Sequence, residues 1–156
     1  MHLRVLAVGT RCPAWVREAY DDYARRLQAR LPVKLTEIAP GRRGKGIPLE
    51  RALEEEGRRI QAALRPADHL VTLDERGRER SSLELGEWLG ARMRAGSDLV
   101  FAIGGPDGFA PEVRARAQES WSLSRLTLPH ALVRVVLIEQ LYRANTLLEG
   151  HPYHRE

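Results

Sequence analysis

The hydrophobic pattern of this chain changes period repeatedly, from strand-like alternation to the three-to-four-residue spacing of helices. That switching constrains the fold more than any other feature. One run anchors the series: Leu99-Val100-Phe101-Ala102-Ile103 is apolar at five consecutive positions. A strand buried on both faces in the middle of a parallel sheet has this pattern. Leu3 to Val8 is a short β-rich run closed by Gly9, Val33 to Ile38 alternates as a half-buried strand, and His69 to Leu73 reads as a third strand. A brief strand is expected around Trp121-Ser122-Leu123. Between them lie helical stretches. Pro13 to about Leu31 carries Trp15, Ala19, Tyr23 and Leu27 at four-residue spacing, with Pro13 suited to a first turn. Leu49 to Leu64 carries Leu49, Leu53, Ile60 and Leu64 among charges. Ser82 to Ala95 has Ser81 or Ser82 as its N-cap, and a short helix runs from Pro111 to Gln118. Strands alternating with helices imply an α/β domain, a mostly parallel sheet flanked by helices.

The last helix, Ala131 to about Leu148, is apolar on most sides. Such a helix must be buried on more than one face. In a chain of 156 residues this favours a homodimer interface beside the intramolecular core, over a central helix in a monomer. The length fits one domain spanning residues 1–156, with no linker, repeat or separate RNA-binding module.

Composition excludes several classes. No run approaches the ~18 apolar residues of a membrane span. The apolar start before Gly9 is too short for a secretory signal. One cysteine, Cys12, excludes internal disulfides and cysteine-based zinc clusters. A cytoplasmic protein without membrane partners is expected. Residues 1–78 hold 16 Lys and Arg against 11 Asp and Glu, whereas residues 79–156 hold 9 against 10. Only Lys34 and Lys45 are lysines. Arginine's planar fork suits phosphates and base edges, so a nucleic-acid partner competes with a simple bias in genomic base composition.

Candidate sites follow from loops at strand ends. Pro40 to Gly46 contains Arg42, Arg43 and Lys45 among glycines, with no acid. This is a phosphate-seeking segment, or else a solvated turn. It is not a Walker A loop, because Ile47 follows Gly46. Glu54-Glu55-Glu56 reads as a solvated helix face. Gly104 and Gly105 end the apolar strand, where ligands of open α/β sheets bind, although a tight Pro-Asp-Gly turn explains them as well. Leu73-Asp74 and Leu123 to His130 are two further strand ends. Pro129 keeps Leu128 extended, and extended backbone can read an adenine edge. In the tail, His151 and His154 lack partners at ligand spacing, so no metal is expected. His130, before the last helix, is a further titratable candidate.

Taken together, several segments resemble the RlmH (YbeA-type) family of ribosomal large subunit methyltransferases, of the SPOUT class. They are Leu6 to Thr10, Ile103 to Gly108, Ser120 to Ser124 with Pro129-His130, Arg134, Glu139 to Ala144, and His151 to Arg155. The resemblance covers essentially the whole chain. It implies a SPOUT-type fold with a C-terminal trefoil knot, working as a homodimer. It also implies methylation, from S-adenosylmethionine, of N3 of a pseudouridine in 23S rRNA of assembled ribosomes. The implied cofactor positions are Leu73, Gly104, Gly105 and Leu123, Ser124, Arg125, Leu126, Thr127 and Leu128. The implied substrate-side residues are His130, Tyr153 and Arg155. Pseudouridine N3–H is a weak acid, so His130 is a candidate base. Arg155 is a candidate for stabilising developing charge, and Tyr153 for stacking on the base. The competing expectations are a non-catalytic RNA-binding protein of this fold and a SPOUT enzyme acting on tRNA.

Overall fold

The structure, a computed structural model, describes the backbone of residues 1–155 and the side chains of residues 1–154. Five parallel strands form one sheet: β1 (Leu3–Val8), β2 (Val33–Ile38), β3 (His69–Glu79), β4 (Leu99–Ile103) and β5 (Glu119–Ser122). Their spatial order is β2-β1-β4-β3-β5. The apolar strand β4 lies at the centre, in register Leu3↔Leu99 with β1 and His69↔Leu99 with β3. All five of its residues are buried.

Alternation along the strands divides the core in two. Val5, Val71, Phe101 and Ile103 face α1 (Ala14–Leu27), α3 (Ser82–Ala95) and α5 (His130–Glu149), meeting Leu27, Leu89, Leu137 and Leu141. Leu6, Val8, Val100 and Ala102 face α2 (Leu49–Ala62) and α4 (Pro111–Arg116), meeting Ile60 and Val113. Each fully buried Leu or Phe contributes about 1.5–3 kcal/mol of burial. The α/β expectation therefore holds, with an entirely parallel sheet.

Several local expectations shift. The buried stripe of α1 is Val16, Tyr20 and Leu27; Trp15 is 58% exposed. Helix α1 stops at Leu27 rather than Leu31, because the amides of Arg30 and Leu31 both return to the Leu27 carbonyl and Pro32 disfavours further helix at Leu31. Leu49 is exposed, and α2 buries Ala52, Glu56, Gly57 and Ile60 instead. Glu56 is thus a correction: it is buried, not solvated, because the loop after β2 folds over it. Strand β3 runs on to Glu79 and β5 starts at Glu119, with an irregularity in their pairing between Leu73 and Arg78. Ser81 is the cap of α3, in a complete capping box with Glu84.

Glu119 ties this edge together. Its carboxylate accepts from Trp88 Nε1 (2.9 Å), Trp121 Nε1 (3.2 Å), Arg80 (2.9 Å) and His69 Nε2 (2.7 Å). Arg92 can only donate, to His69 Nδ1 (2.8 Å), so Nε2 carries the ring's proton. Burial works against the Glu119 charge, but the hydrogen bonds outweigh it and hold the carboxyl below the ordinary range. A depressed carboxyl contributes stability above its unfolded pKa, about 4.3, and that stability is lost as pH falls through the lower folded value. Glu119→Gln is therefore expected to lower Tm at neutral pH and to flatten its fall on acidification. A wild-type acid limb in the variant would contradict this role.

Candidate functional site

Parallel pairing sends the C-terminal ends of β1, β2, β3, β4 and β5 toward one edge. There a cavity of about 610 Å³ opens, within the ~300–1,000 Å³ of small-molecule sites. Three segments line it: Leu73 to Arg76 after β3's first half, Ile103 to Phe109 after β4, and Trp121 to His130 between β5 and α5. Arg125 alone in that last segment lies off the wall, with its side chain 87% exposed. The remaining expected cofactor positions (Leu73, Gly104, Gly105, Leu123, Ser124, Leu126, Thr127 and Leu128) all line the cavity, as does His130.

The β4–α4 wall is a tight turn. The Gly108 amide donates to the Gly105 carbonyl (3.1 Å), with Pro106 and Asp107 between and Gly108 at φ +80°, a conformation glycine favours. A Cβ on Gly104 would stand 3.0 Å from the Gly108 carbonyl oxygen, so the turn closes only around a bare backbone. The β5–α5 wall is extended. Ser122 Oγ donates to the Ser124 carbonyl (2.8 Å), and Ser124 Oγ accepts from the Leu126 amide (2.9 Å). Among the described residues, the amides and carbonyls of Thr127 and Leu128 have no hydrogen-bond partner. Leu126 overhangs the cavity and is 76% exposed. The floor is Trp121, packed edge-on against Trp88 (4.4 Å between centroids).

Two of the three acids of the wall are paired with arginines, and the third, exposed Glu75, is offset in charge by its neighbour Arg76. Arg114 bonds Asp74, and Arg43 bonds Asp107 (3.1 Å). The wall is therefore near neutral, with free backbone groups set among apolar side chains. Those features suit an adenine edge and a zwitterionic tail. Among the described residues, no group of three or more His, Cys, Asp or Glu gathers to hold a metal, and no helix is long and apolar enough to cross a membrane.

At the mouth, His130 opens α5. Its Nε2 stands 3.8 Å from where a Gly9 Cβ would lie. Buried Arg134, one turn on, donates to the Gly9 carbonyl and to Glu37 (both 2.8 Å), which fixes the start of α5 against the ends of β1 and β2. Tyr153 is elsewhere. Its hydroxyl lies 3.1 Å from Glu139 and 3.4 Å from the Tyr23 hydroxyl, and its ring packs edge-on against Tyr142 (4.6 Å). Burial and these neighbours push its phenol well above the ordinary range. Glu139 is nine residues from His130, about 13 Å along the helix, so one chain does not bring Tyr153 to the mouth. The Arg155 side chain lies outside the described residues. In the basic loop, Arg42 and Lys45 are exposed, whereas Arg43 is held by Glu56 (2.7 Å) and Asp107.

Sequence reasoning missed Glu56 and Glu119. For Glu56 a signal existed in Gly57, a glycine inside a helical pattern. A Cβ there would stand 3.2 Å from the Ala110 Cβ, marking a face of α2 that is pressed against α4.

The family profile described as "Predicted SPOUT methyltransferase" matches residues 1–154. The chain is 51% identical over 155 residues to ribosomal RNA large subunit methyltransferase H of Methylococcus capsulatus, covering 99% of this chain and 100% of the relative. It is 50% identical to the protein of the same name from Stenotrophomonas maltophilia, covering 99% of each. A crystal structure from Neisseria gonorrhoeae, of a protein assigned to a methylase family, superposes with a TM-score of 0.56 at 13% identity. That match covers 90% of this chain and 81% of the other, a likeness of fold.

Proposed function

The chain belongs to the RlmH branch of the SPOUT methyltransferases, and on that premise we propose that it methylates 23S rRNA in assembled ribosomes, at N3 of a pseudouridine, with S-adenosylmethionine as donor. The single observation carrying this reading is the cavity at the strand ends, which gathers eight of the nine expected cofactor positions together with His130. The free Thr127 and Leu128 backbone groups would hold an adenine edge. Gly104 and Gly105 would admit the ligand close to the chain. When bound, the cofactor supplies a methyl group on a sulfonium for in-line displacement. The protein's own work is then alignment and proton removal. His130, at the mouth, takes the N3 proton, and Tyr153 and Arg155 hold the base. Calorimetric titration with S-adenosylmethionine tests the cofactor assignment: saturable binding is expected. Its absence would favour a non-catalytic RNA-binding protein.

The placement of Tyr153 far from His130 supports a homodimer with a composite site. Leu132, Val136, Glu139 and Arg143 share one face of α5 and are only half-buried. Helix α1 adds exposed Trp15 and half-buried Ala19 and Tyr23, whereas Leu27, the last residue of the stripe seen in the sequence, is buried. A two-fold pairing through these faces with α5 antiparallel brings the Tyr153 end of one helix beside the His130 end of its mate. The trefoil knot expected of the class would involve the Leu123–Leu128 segment. Val136→Glu is expected to give monomers by sedimentation and to lose ribosome methylation. A fully active monomer would contradict the composite site.

A further inference from the structure

Glu56 lies within a run of three glutamates, yet its side chain is 3% exposed. Oε2 accepts from the Gly41 amide (2.8 Å) and from Arg43 NH1 (2.7 Å). Oε1 is buried without a hydrogen-bond partner. It sits behind the cavity wall, 3.9 Å from where a Gly105 Cβ would lie. Arg43 in turn donates from NH1 to the Gly41 carbonyl (3.1 Å) and from Nε to Asp107 (3.1 Å). One buried carboxylate therefore grips the basic loop by its backbone and by its arginine. The same arginine grips the Gly105–Gly108 turn that walls the cavity. Leaving a buried carboxylate oxygen unpaired is costly, and what the arrangement maintains is the relative placement of these two loops.

We propose that Glu56 and Arg43 are positioning residues that couple RNA docking on the Gly41–Gly46 loop to cofactor binding in the cavity, a step that rests on the reading of both given above. Arg43 NH2 has no partner among the described residues, and its side chain is 32% exposed. That leaves two N–H groups for a phosphate oxygen while Nε keeps its hold on Asp107. The Asp107 charge stays neutralised as the phosphate arrives. Ordering the turn then serves both ligands, which makes their binding mutually favourable.

Equilibrium dialysis of the intact protein against labelled S-adenosylmethionine, with and without saturating 70S ribosomes, tests the coupling. Ribosomes are expected to tighten cofactor binding about fivefold or more in the wild type, and the cofactor to tighten ribosome binding by the same factor. Arg43→Gln and Glu56→Gln should each bind the cofactor alone but lose that enhancement. Arg42→Gln should weaken ribosome binding and keep it. Melting curves establish that Glu56→Gln is folded, and the more exposed Arg43→Gln decides the matter if it is not. Retained enhancement in Arg43→Gln would overturn the inference, as would wild-type protein that binds both ligands independently. Failure of the wild type to bind cofactor at all would instead sink the reading of the cavity.

Discussion

His130→Ala is expected to lower methylation of the ribosome by about 10²–10⁴-fold, the usual contribution of a general base. Cofactor affinity and melting temperature should change far less. The expectation follows from how the ring is placed. Pro129 precedes it in extended geometry, so α5 starts at the cavity mouth. Arg134 then fixes that start against Gly9 and Glu37. The His130 ring makes no side-chain hydrogen bond among the described residues, unlike His69, which is bonded through both nitrogens. A ring held in place by its helix but left unpaired is free to accept a substrate proton. If Tm falls in step with activity, the ring is structural and the base must be sought elsewhere.

Gly77→Ala is expected to have a large effect on stability. Gly77 lies in the irregular stretch of β3, where a Cβ would stand 2.5 Å from the Trp121 carbonyl carbon and 2.6 Å from that of Ser120. Those are backbone atoms, so no rotamer change relieves the contact. Strand β5 must move, and with it the Trp121 floor and the Leu123–Leu128 wall. The cost is about 3 kcal/mol, at the upper end for overpacking, or roughly 6–12 °C in Tm for a domain of this size. Cofactor affinity is expected to fall alongside. Gly46→Ala is the control: φ is +81° there, but no heavy atom lies within 4 Å of an added Cβ, so only about 1–2 kcal/mol of conformational strain applies. Similar Tm losses in the two variants would show that the β3–β5 contact is not the cause.

What the sequence revealed was what local chemistry determines. The bounds of β1, β2 and β4 followed from apolar periodicity, and the start of α3 from a serine cap. The three strand ends were legible because a parallel sheet carries them to one edge. Glu56, Glu119 and Tyr153 were not. Each owes its setting to residues distant in sequence: Glu56 to the Gly41 loop, Glu119 to His69, Arg80 and Trp88, and Tyr153 to Tyr23 and Glu139. A charged or aromatic residue on a helix face or in a tail carries no periodic mark of such a partner. The apolar spacing along α1 did not separate exposed Trp15 from buried Leu27, since Trp15 and Val16 are adjacent and both apolar, and only tertiary packing selects which one faces the sheet.

The early charge imbalance also changes meaning. The surplus in residues 1–78 includes Arg43, which serves the cavity wall, while Arg42 and Lys45 remain exposed beside it. The basic half and the cofactor-type half thus meet at the Arg43–Asp107 contact.

The central proposal, methyl transfer to the large-subunit RNA, is tested most directly by mapping the product. The protein would be incubated with labelled S-adenosylmethionine and, separately, 70S ribosomes, isolated 50S subunits, free 23S rRNA and tRNA, and the modified nucleotide located by mass spectrometry. The account predicts label in the 70S sample, at N3 of a single pseudouridine of 23S rRNA. Label confined to tRNA, or none in any RNA despite cofactor binding, would contradict it.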